Sequence, residues 1–302
     1  MVLDPYSRYL ASKRTVDDRA LNRHVLDALR AELTSACGML RVLEIGAGLG
    51  TMVARLLDWR LIERGEYVLL DVEPRLLADA RDWLVHWSGA RGLVASSEAD
   101  GLRIQGEPRI DLKVRFIPAE IGQFISAAPV PSPATLLIAN AFLDLVEVPA
   151  MLPRLFELLV PGGLFWFSIN FDGETILEPE LKDDSLFLRA YHRSMDERVR
   201  YGRPAGESKS GRHLFGHLRN AGASILAAGA SDWVVFAQGA DYPDDEGHFL
   251  HQIIETIASE LRQHAEIPHD RLVEWATLRH QQIERGELVY VAHQLDFVGR
   301  RP

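Results

Sequence analysis

The chain has 302 residues, 47% of them hydrophobic, enough to bury a large core as one enlarged α/β domain or a domain plus a cap. Its net charge of -10 leaves no basic field to gather phosphates, so a small molecule is expected as partner rather than nucleic acid. Cys37 is the only cysteine, which excludes an intrachain disulfide framework and a multi-thiolate metal site and leaves it to act as a small buried hydrophobe.

No apolar run approaches the roughly 20 residues of a membrane span, and the opening Met-Val-Leu-Asp-Pro-Tyr lacks the charged and apolar regions of a signal peptide. A cytoplasmic protein that does not engage a membrane is expected. Residues 1–37 read as a polar helical segment or lid, in which Arg14, Arg19 and Asn22 face a ligand or line a solvated helix face. The apolar run Leu40–Ile45 then meets three alternating glycines, Gly46, Gly48 and Gly50, ahead of a helix over Met52–Asp58. Glycines turn the backbone sharply with positive φ and bring bare N–H groups to a ligand at the helix start. A second strand, Tyr67–Asp71, leads into the helical pattern Arg75–Trp87.

Ser88–Pro108 reads as a loop or small irregular hairpin before the strand Leu112–Ile117. Pro129, Pro131 and Pro133 punctuate a linker ahead of the strand Ala134–Ala139, and Val148–Leu159 is helical up to the turn Pro161-Gly162-Gly163. Gly163–Ile169 is a further strand. Asp172–Ser208 reads as a charged, aromatic, helical insert, followed by a helix over Gly211–Ala221 and a strand over Ser224–Ala228. Asp245–His264 and His269–Arg285 show helical spacing, with Pro268 as a helix-start residue, before the strand Leu288–Val298. Strands alternating with helices imply right-handed crossovers, a parallel sheet, and ligands outside the carboxyl ends of its strands.

The dinucleotide fingerprint Gly-x-Gly-x-x-Gly would place its third glycine at position 51, where this chain has Thr51. Glu44, two residues before the first glycine, would repel a pyrophosphate and suits a cationic group. Val-Leu-Glu-Ile-Gly-Ala-Gly-Leu-Gly-Thr resembles the first motif of class I S-adenosylmethionine-dependent methyltransferases of the small-molecule type. Leu-Phe-Glu-Leu-Leu-Val-Pro-Gly-Gly (Leu155–Gly163) resembles that family's helix and turn between its fourth and fifth strands, and His213–Gly222 resembles the helix before its sixth. The likeness spans roughly Leu40–Ile169, with weaker support towards the C-terminus.

The resemblance implies a Rossmann-like, seven-stranded, mostly parallel sheet with an antiparallel last strand, helices on both faces, and a helical cap from insertions. The domain would span 38–302, with cap insertions at about 172–208 and 243–286. It also implies S-adenosyl-L-methionine as cofactor and S-adenosyl-L-homocysteine as product. Gly46, Ala47, Gly48 and Gly50 would pack against its methionine and ribose portions, and Glu44 would orient its amino group. Asp71 would accept from both ribose hydroxyls, and Val72 would touch adenine. Asp71 lies about 20 residues past the glycines, where nucleotide folds place their ribose acid, although a helix N-cap explains it too. Glu120 would accept from the adenine amino group while the Ala119 or Ile121 N–H donates to the ring, and Glu120 also reads as an acid starting a helix. Pro118 cannot donate. Asn140, Ala141 and Phe142 would lie against the methyl end.

In-line methyl transfer draws much of its rate from positioning in a dry site, with a base needed only for a hydroxyl or protonated amine acceptor. The two insertions and the segment Tyr6–Leu29 would enclose the acceptor among Phe142, Tyr191, His192, Trp233, Phe249 and Trp275, each of which can equally be a core residue of the cap. His192, which titrates near neutrality, is the preferred base. No metal site is expected. His213 and His217 share a helix face, but Leu214 stands where a zincin needs Glu and no third ligand is evident. A monomer or homodimer is expected. The competing readings are a Rossmann-type NAD(P)-dependent oxidoreductase, disfavoured by Thr51 and Glu44, and a non-catalytic adenosylmethionine-binding protein.

Overall fold

The computed structural model describes residues 4–35, 39–127, 133–200 and 202–302, so the expectations for Cys37, Pro129 and Pro131 lie outside the described residues. Three helices open the chain: α1 (Pro5–Ser12), α2 (Arg14–Ala20) and α3 (Arg23–Ser35). The Asp4 carboxylate caps α1, accepting from the backbone N–H groups of Tyr6 (2.9 Å) and Ser7 (3.2 Å), with Pro5 in the first turn. β1 (Leu40–Ile45), α4 (Thr51–Asp58), β2 (Arg64–Asp71) and α5 (Pro74–Ala90) form the first β-α units. β3 (Val94–Glu98), β4 (Gly101–Gly106), β5 (Ile110–Pro118), α6 (Ile121–Ser126) and β6 (Ala134–Asn140) follow. A 3-10 turn at Leu143–Leu145 leads to α7 (Val148–Glu157), β7 (Leu159–Glu178), α8 (Asp184–Asp196) and the two-residue strands β8 (Val199–Arg200) and β9 (Arg203–Pro204). α9 (Ser210–Asn220), β10 (Ser224–Ala230), β11 (Trp233–Val235), α10 (Glu246–Leu261), α11 (His269–Glu284) and β12 (Val289–Arg300) complete the described chain. None of the described helices is long and apolar enough to cross a membrane.

The main sheet runs β10-β12-β7-β6-β1-β2-β5-β4-β3, with β11 also paired to β12. β7, β6, β1, β2 and β5 are parallel neighbours, and β12 enters antiparallel between β7 and β10. This is the expected Rossmann-like arrangement. From β1 the chain winds one way to β2 and β5, then returns to β1's other edge for β6 and β7. The carboxyl ends of β1 and β6 therefore flank a topological switch point, where open α/β sheets hold ligands. Both faces are covered. Val42, Tyr67, Leu69 and Trp166 belong to one apolar cluster, while Leu43, Ile45, Leu70, Phe165 and Phe167 belong to the other, so the central strands read as continuous apolar runs.

The sheet has ten strands rather than seven. Leu102 and Ile104, buried at period two, let β3 and β4 extend it as a hairpin, beneath the last turns of a helix α5 that is longer than expected. β7 runs to Glu178, so the start of the expected helical insert is strand instead. β12 pairs with it from Arg300↔Leu164 to Val289↔Glu178, and Thr175 and Leu177 alternate inward. Among the described residues, helix in the first insertion is confined to α8.

The cap helices are fastened through one buried ion pair. Asp184 accepts from the Trp275 indole N–H (2.7 Å), the Leu181 N–H (2.7 Å) and the Arg279 guanidinium, joining α8 to α11. The N-terminal helices are tied to α10, because Arg19 donates twice to the buried Glu246 carboxylate (2.6 and 2.7 Å). Arg19 is thereby engaged away from the sheet's ligand crevice, and Asn22 donates to the Ala230 carbonyl (2.8 Å) at the sheet edge. Removing Asp184 strands a buried guanidinium and an indole N–H, so Asp184→Ala should cost about 3–5 kcal/mol of unfolding free energy in urea titrations. A loss below about 1 kcal/mol would show that the pair does not hold the cap.

Candidate active site

Gly46 (φ +62°), Gly48 (φ +56°) and Gly50 (φ +71°) are all left-handed, the conformation that L side chains rarely adopt. Space constrains them as well. A Cβ on Gly46 would lie 2.5 Å from Phe142 Cδ2, and one on Gly50 would lie 3.1 Å from Leu69 Cδ2. Gly50 therefore serves the packing of α4 and α5 on the sheet and is not among the cavity-lining residues, unlike Gly46, Ala47 and Gly48. Asp71, at the end of β2, accepts the Gly48 N–H on Oδ2 (2.9 Å) and the Glu73 N–H on Oδ1 (3.0 Å). The N-cap of α5 is Glu73, not Asp71. The Asp71 carbonyl also accepts the Ala119 N–H (2.9 Å), so one residue knits the ends of β1, β2 and β5 together.

Glu44 is 2% exposed, with Oε2 accepting from the Tyr67 hydroxyl (2.8 Å). Burial pushes its pKa up to about 8, although the Tyr67 hydrogen bond and the Arg55 charge oppose the shift. The carboxyl nonetheless lines a cavity of about 1070 Å³ at the switch point, at the upper end of small-molecule sites. Asp71, Val72, Ala119, Glu120, Asn140 and Ala141 line it too. Glu120 caps α6 by accepting the Gln123 N–H (2.8 Å), and Asn140 Oδ1 accepts from Ser168 Oγ (2.8 Å). The Ala119 N–H, one of two expected ring donors, is engaged by Asp71. The other, on Ile121, sits in a first helical turn where no intrahelical acceptor exists.

The far end of the cavity is closed by α1, α8, α10 and the antiparallel strands. Phe142, Tyr191 and Trp233 line it as expected. Trp275 does not, being buried against Phe187 with its N–H on Asp184. Nor does His192, whose Nε2 sits 3.0 Å from Thr175 Oγ1 and whose ring packs on Phe171, so that these two cavity-lining residues stand between the imidazole and the space. Burial lowers the His192 pKa. Phe249 lies behind the wall, stacked on Tyr9 (5.9 Å) and edge-on to Trp233 (5.3 Å).

Several lining residues had no sequence signal. Lys13 projects from the end of α1 with Nζ 3.3 Å from Asp17 Oδ2 and 5.3 Å above the Trp233 ring. Tyr9 and Tyr290 join the expected Tyr191 to bring three phenols to one wall, and burial raises the pKa of each, that of Tyr191 to about 12. Asp144, in the 3-10 turn two residues beyond Phe142, has a buried Oδ1 with no hydrogen-bond partner among the described residues. Burial raises its pKa against the charges of Arg198 and Lys13. Its spacing from Asn140 was visible in the sequence, but the direction in which the turn aims it was not.

No family model matches the chain, and no curated protein matches it. Solved structures do resemble it. A SAM-dependent methyltransferase from Thiobacillus denitrificans in complex with S-adenosyl-L-homocysteine has 13% identity and a TM-score of 0.46, covering 94% of this chain and 93% of that one. Mycolic acid cyclopropane synthase complexed with S-adenosylhomocysteine has 12% identity and a TM-score of 0.44, covering 91% and 84%. The cyclase SpnF has 17% identity and a TM-score of 0.42, covering 92% and 80%.

Glu44 is a carboxyl whose folded pKa stands above its ordinary 4.5, so between pH 4.5 and about 8 the folded state holds more protons than the unfolded. Stability must therefore fall as pH rises through that window. The ligand-free protein should lose melting temperature from pH 5 to 8 relative to Glu44→Gln, which lacks the titrating group. Parallel pH profiles for the two proteins would contradict the raised pKa.

Proposed function

We propose that the chain is an S-adenosylmethionine-dependent methyltransferase acting on a small organic acceptor. One observation carries the reading: a left-handed glycine turn at the switch point is held by the Asp71 carboxylate and flanked by Glu44, and it opens into a capped cavity large enough for cofactor and acceptor together. Asp71 suits ribose hydroxyls and Glu44 suits an ammonium group, which a pyrophosphate lacks. Thr51, starting α4 where a third glycine is required, also counts against a nicotinamide cofactor.

The residues divide the work by chemistry. Asp71 Oδ1 and Oδ2 retain lone pairs for two ribose hydroxyls after accepting one N–H each. Glu44, neutral at pH 7 when unpaired, ionises against a cationic amino group, since a nearby positive charge lowers a carboxyl pKa. Glu120 and the Ile121 N–H face the adenine, and Asn140, oriented by Ser168, marks the methyl end. Bound there, adenosylmethionine supplies an electrophilic sulfonium methyl. Asp144 replaces His192 as base, because it lines the cavity beside Phe142 and keeps an unengaged carboxylate oxygen, whereas Thr175 and Phe171 stand between His192 and the space. A raised pKa suits it to take a proton from an acceptor N–H or O–H. The net charge of -10 supports a small-molecule acceptor over nucleic acid, in a cytoplasmic enzyme working as monomer or homodimer.

Adenosylhomocysteine at 100 times its dissociation constant should add about 2.7 kcal/mol to the folded state, read as a rise in melting temperature, while NADH adds nothing. Asp71→Ala should abolish that rise. Asp144→Asn should keep it, but lower transfer to an acceptor fished from a metabolite extract by about 10²–10⁴-fold. Stabilisation by NADH alone would overturn the assignment, and ligand binding without any transfer in such extracts would favour a non-catalytic adenosylmethionine-binding protein.

A further inference from the structure

We infer that Glu207, His213 and His217 form a binding site for a divalent ion of the zinc type, outside the capped cavity. His213 and His217 stand one turn apart on the same face of α9, the i,i+4 spacing that presents two imidazoles to one point. The third donor arrives from another segment. Glu207 follows β9 and turns back onto the helix, so that its Oε1 contacts His213 Nδ1 and its Oε2 lies 3.9 Å from His217 Nε2. All the donor atoms fall within 4.8 Å of one another. This supplies the third donor that the sequence pattern alone did not show, and the proposal departs from the expectation of no metal site.

The donor set selects the ion. Two imidazoles and one carboxylate suit Zn²⁺, Co²⁺ or Ni²⁺ and are too poor in oxygen for Ca²⁺ or Mg²⁺. Three protein ligands leave a fourth position for water, and that position has room, because the three side chains border a cleft of about 400 Å³. Glu147 and Asp196 border the same cleft and offset the charge of Lys209. An ion would replace the direct contact between Glu207 and His213, with the carboxylate and imidazole parting to admit it.

The placement gives such an ion a mechanical consequence. Val146, Glu147 and Pro204 line both this cleft and the main cavity, and the Glu207 N–H donates to the Asp144 carbonyl (3.3 Å). A bound ion would clamp the segment after β9 to α9 and steady the 3-10 turn that carries Asp144. The site itself is independent of methyl transfer and is testable without a cofactor.

Full-length protein stripped with a chelator and titrated with Zn²⁺ by calorimetry should take up one ion per chain. The affinity should drop at least about tenfold in His217→Ala and in Glu207→Gln, since outer-shell partners alone are worth 10–100-fold. Glu207→Gln retains an acceptor for His213, so it preserves the fold if the histidine variant does not. A structural His–Glu contact alone would cost both variants stability with no Zn²⁺-dependent difference. Absence of saturable uptake, or equal affinity in the parent and both variants, overturns the proposal.

Discussion

The hydrogen bond from the Gly48 N–H to the Asp71 carboxylate (2.9 Å) is the constraint on which the ligand end of the molecule depends. The turn of three alternating left-handed glycines leaving β1 needs an external acceptor to hold its shape, and the adjacent end of β2 supplies it. Asp71 also accepts the Glu73 N–H and, through its carbonyl, the Ala119 N–H, so the turns after β1, β2 and β5 form one hydrogen-bonded unit. Gly46 completes the unit by bringing the backbone against Phe142 from the turn after β6. Four strand ends thus share one arrangement, and the cavity opens above it.

The cap is a separate construction held by different forces. Its helices meet through the buried Asp184–Arg279 pair, and the N-terminal helices lock onto it through Arg19 and Glu246 and onto α4 through Arg55 and Asp18 (2.5 Å). Such pairs contribute geometry more than net stability, because desolvation offsets much of the Coulomb attraction. Here they set where Tyr9 and Lys13 stand relative to Trp233 and Asp144. The capped end of the cavity is therefore assembled from elements far apart in the chain, whereas the glycine turn is local.

That difference explains which parts of the site were legible. Glu44, Gly46, Gly48, Asp71, Val72 and Asn140 sit at strand ends that the family resemblance singled out, and the structure brings all of them to the cavity. Gly50 carries the same glycine signal for another reason, the close approach of α5 to β2. His192 and Trp275 were chosen by residue chemistry within an insert, and the packing of α8 and α11 turned both away from the space. Lys13 and Asp144 had the opposite fate. A lysine ending a polar helix and an acid in a short turn look solvated until the tertiary arrangement buries them.

The order of the main strands and helices, the parallel centre and the acid-flanked glycine turn were determined by the sequence itself, because each rests on residue periodicity or on a backbone conformation that only glycine adopts readily, while the antiparallel last strand was implied by the family resemblance. The length of β7 and the wall of the capped cavity were decided only in three dimensions. These depend on contacts between segments distant in sequence, where the energy of pairing and burial resides in the partner and no local pattern records it.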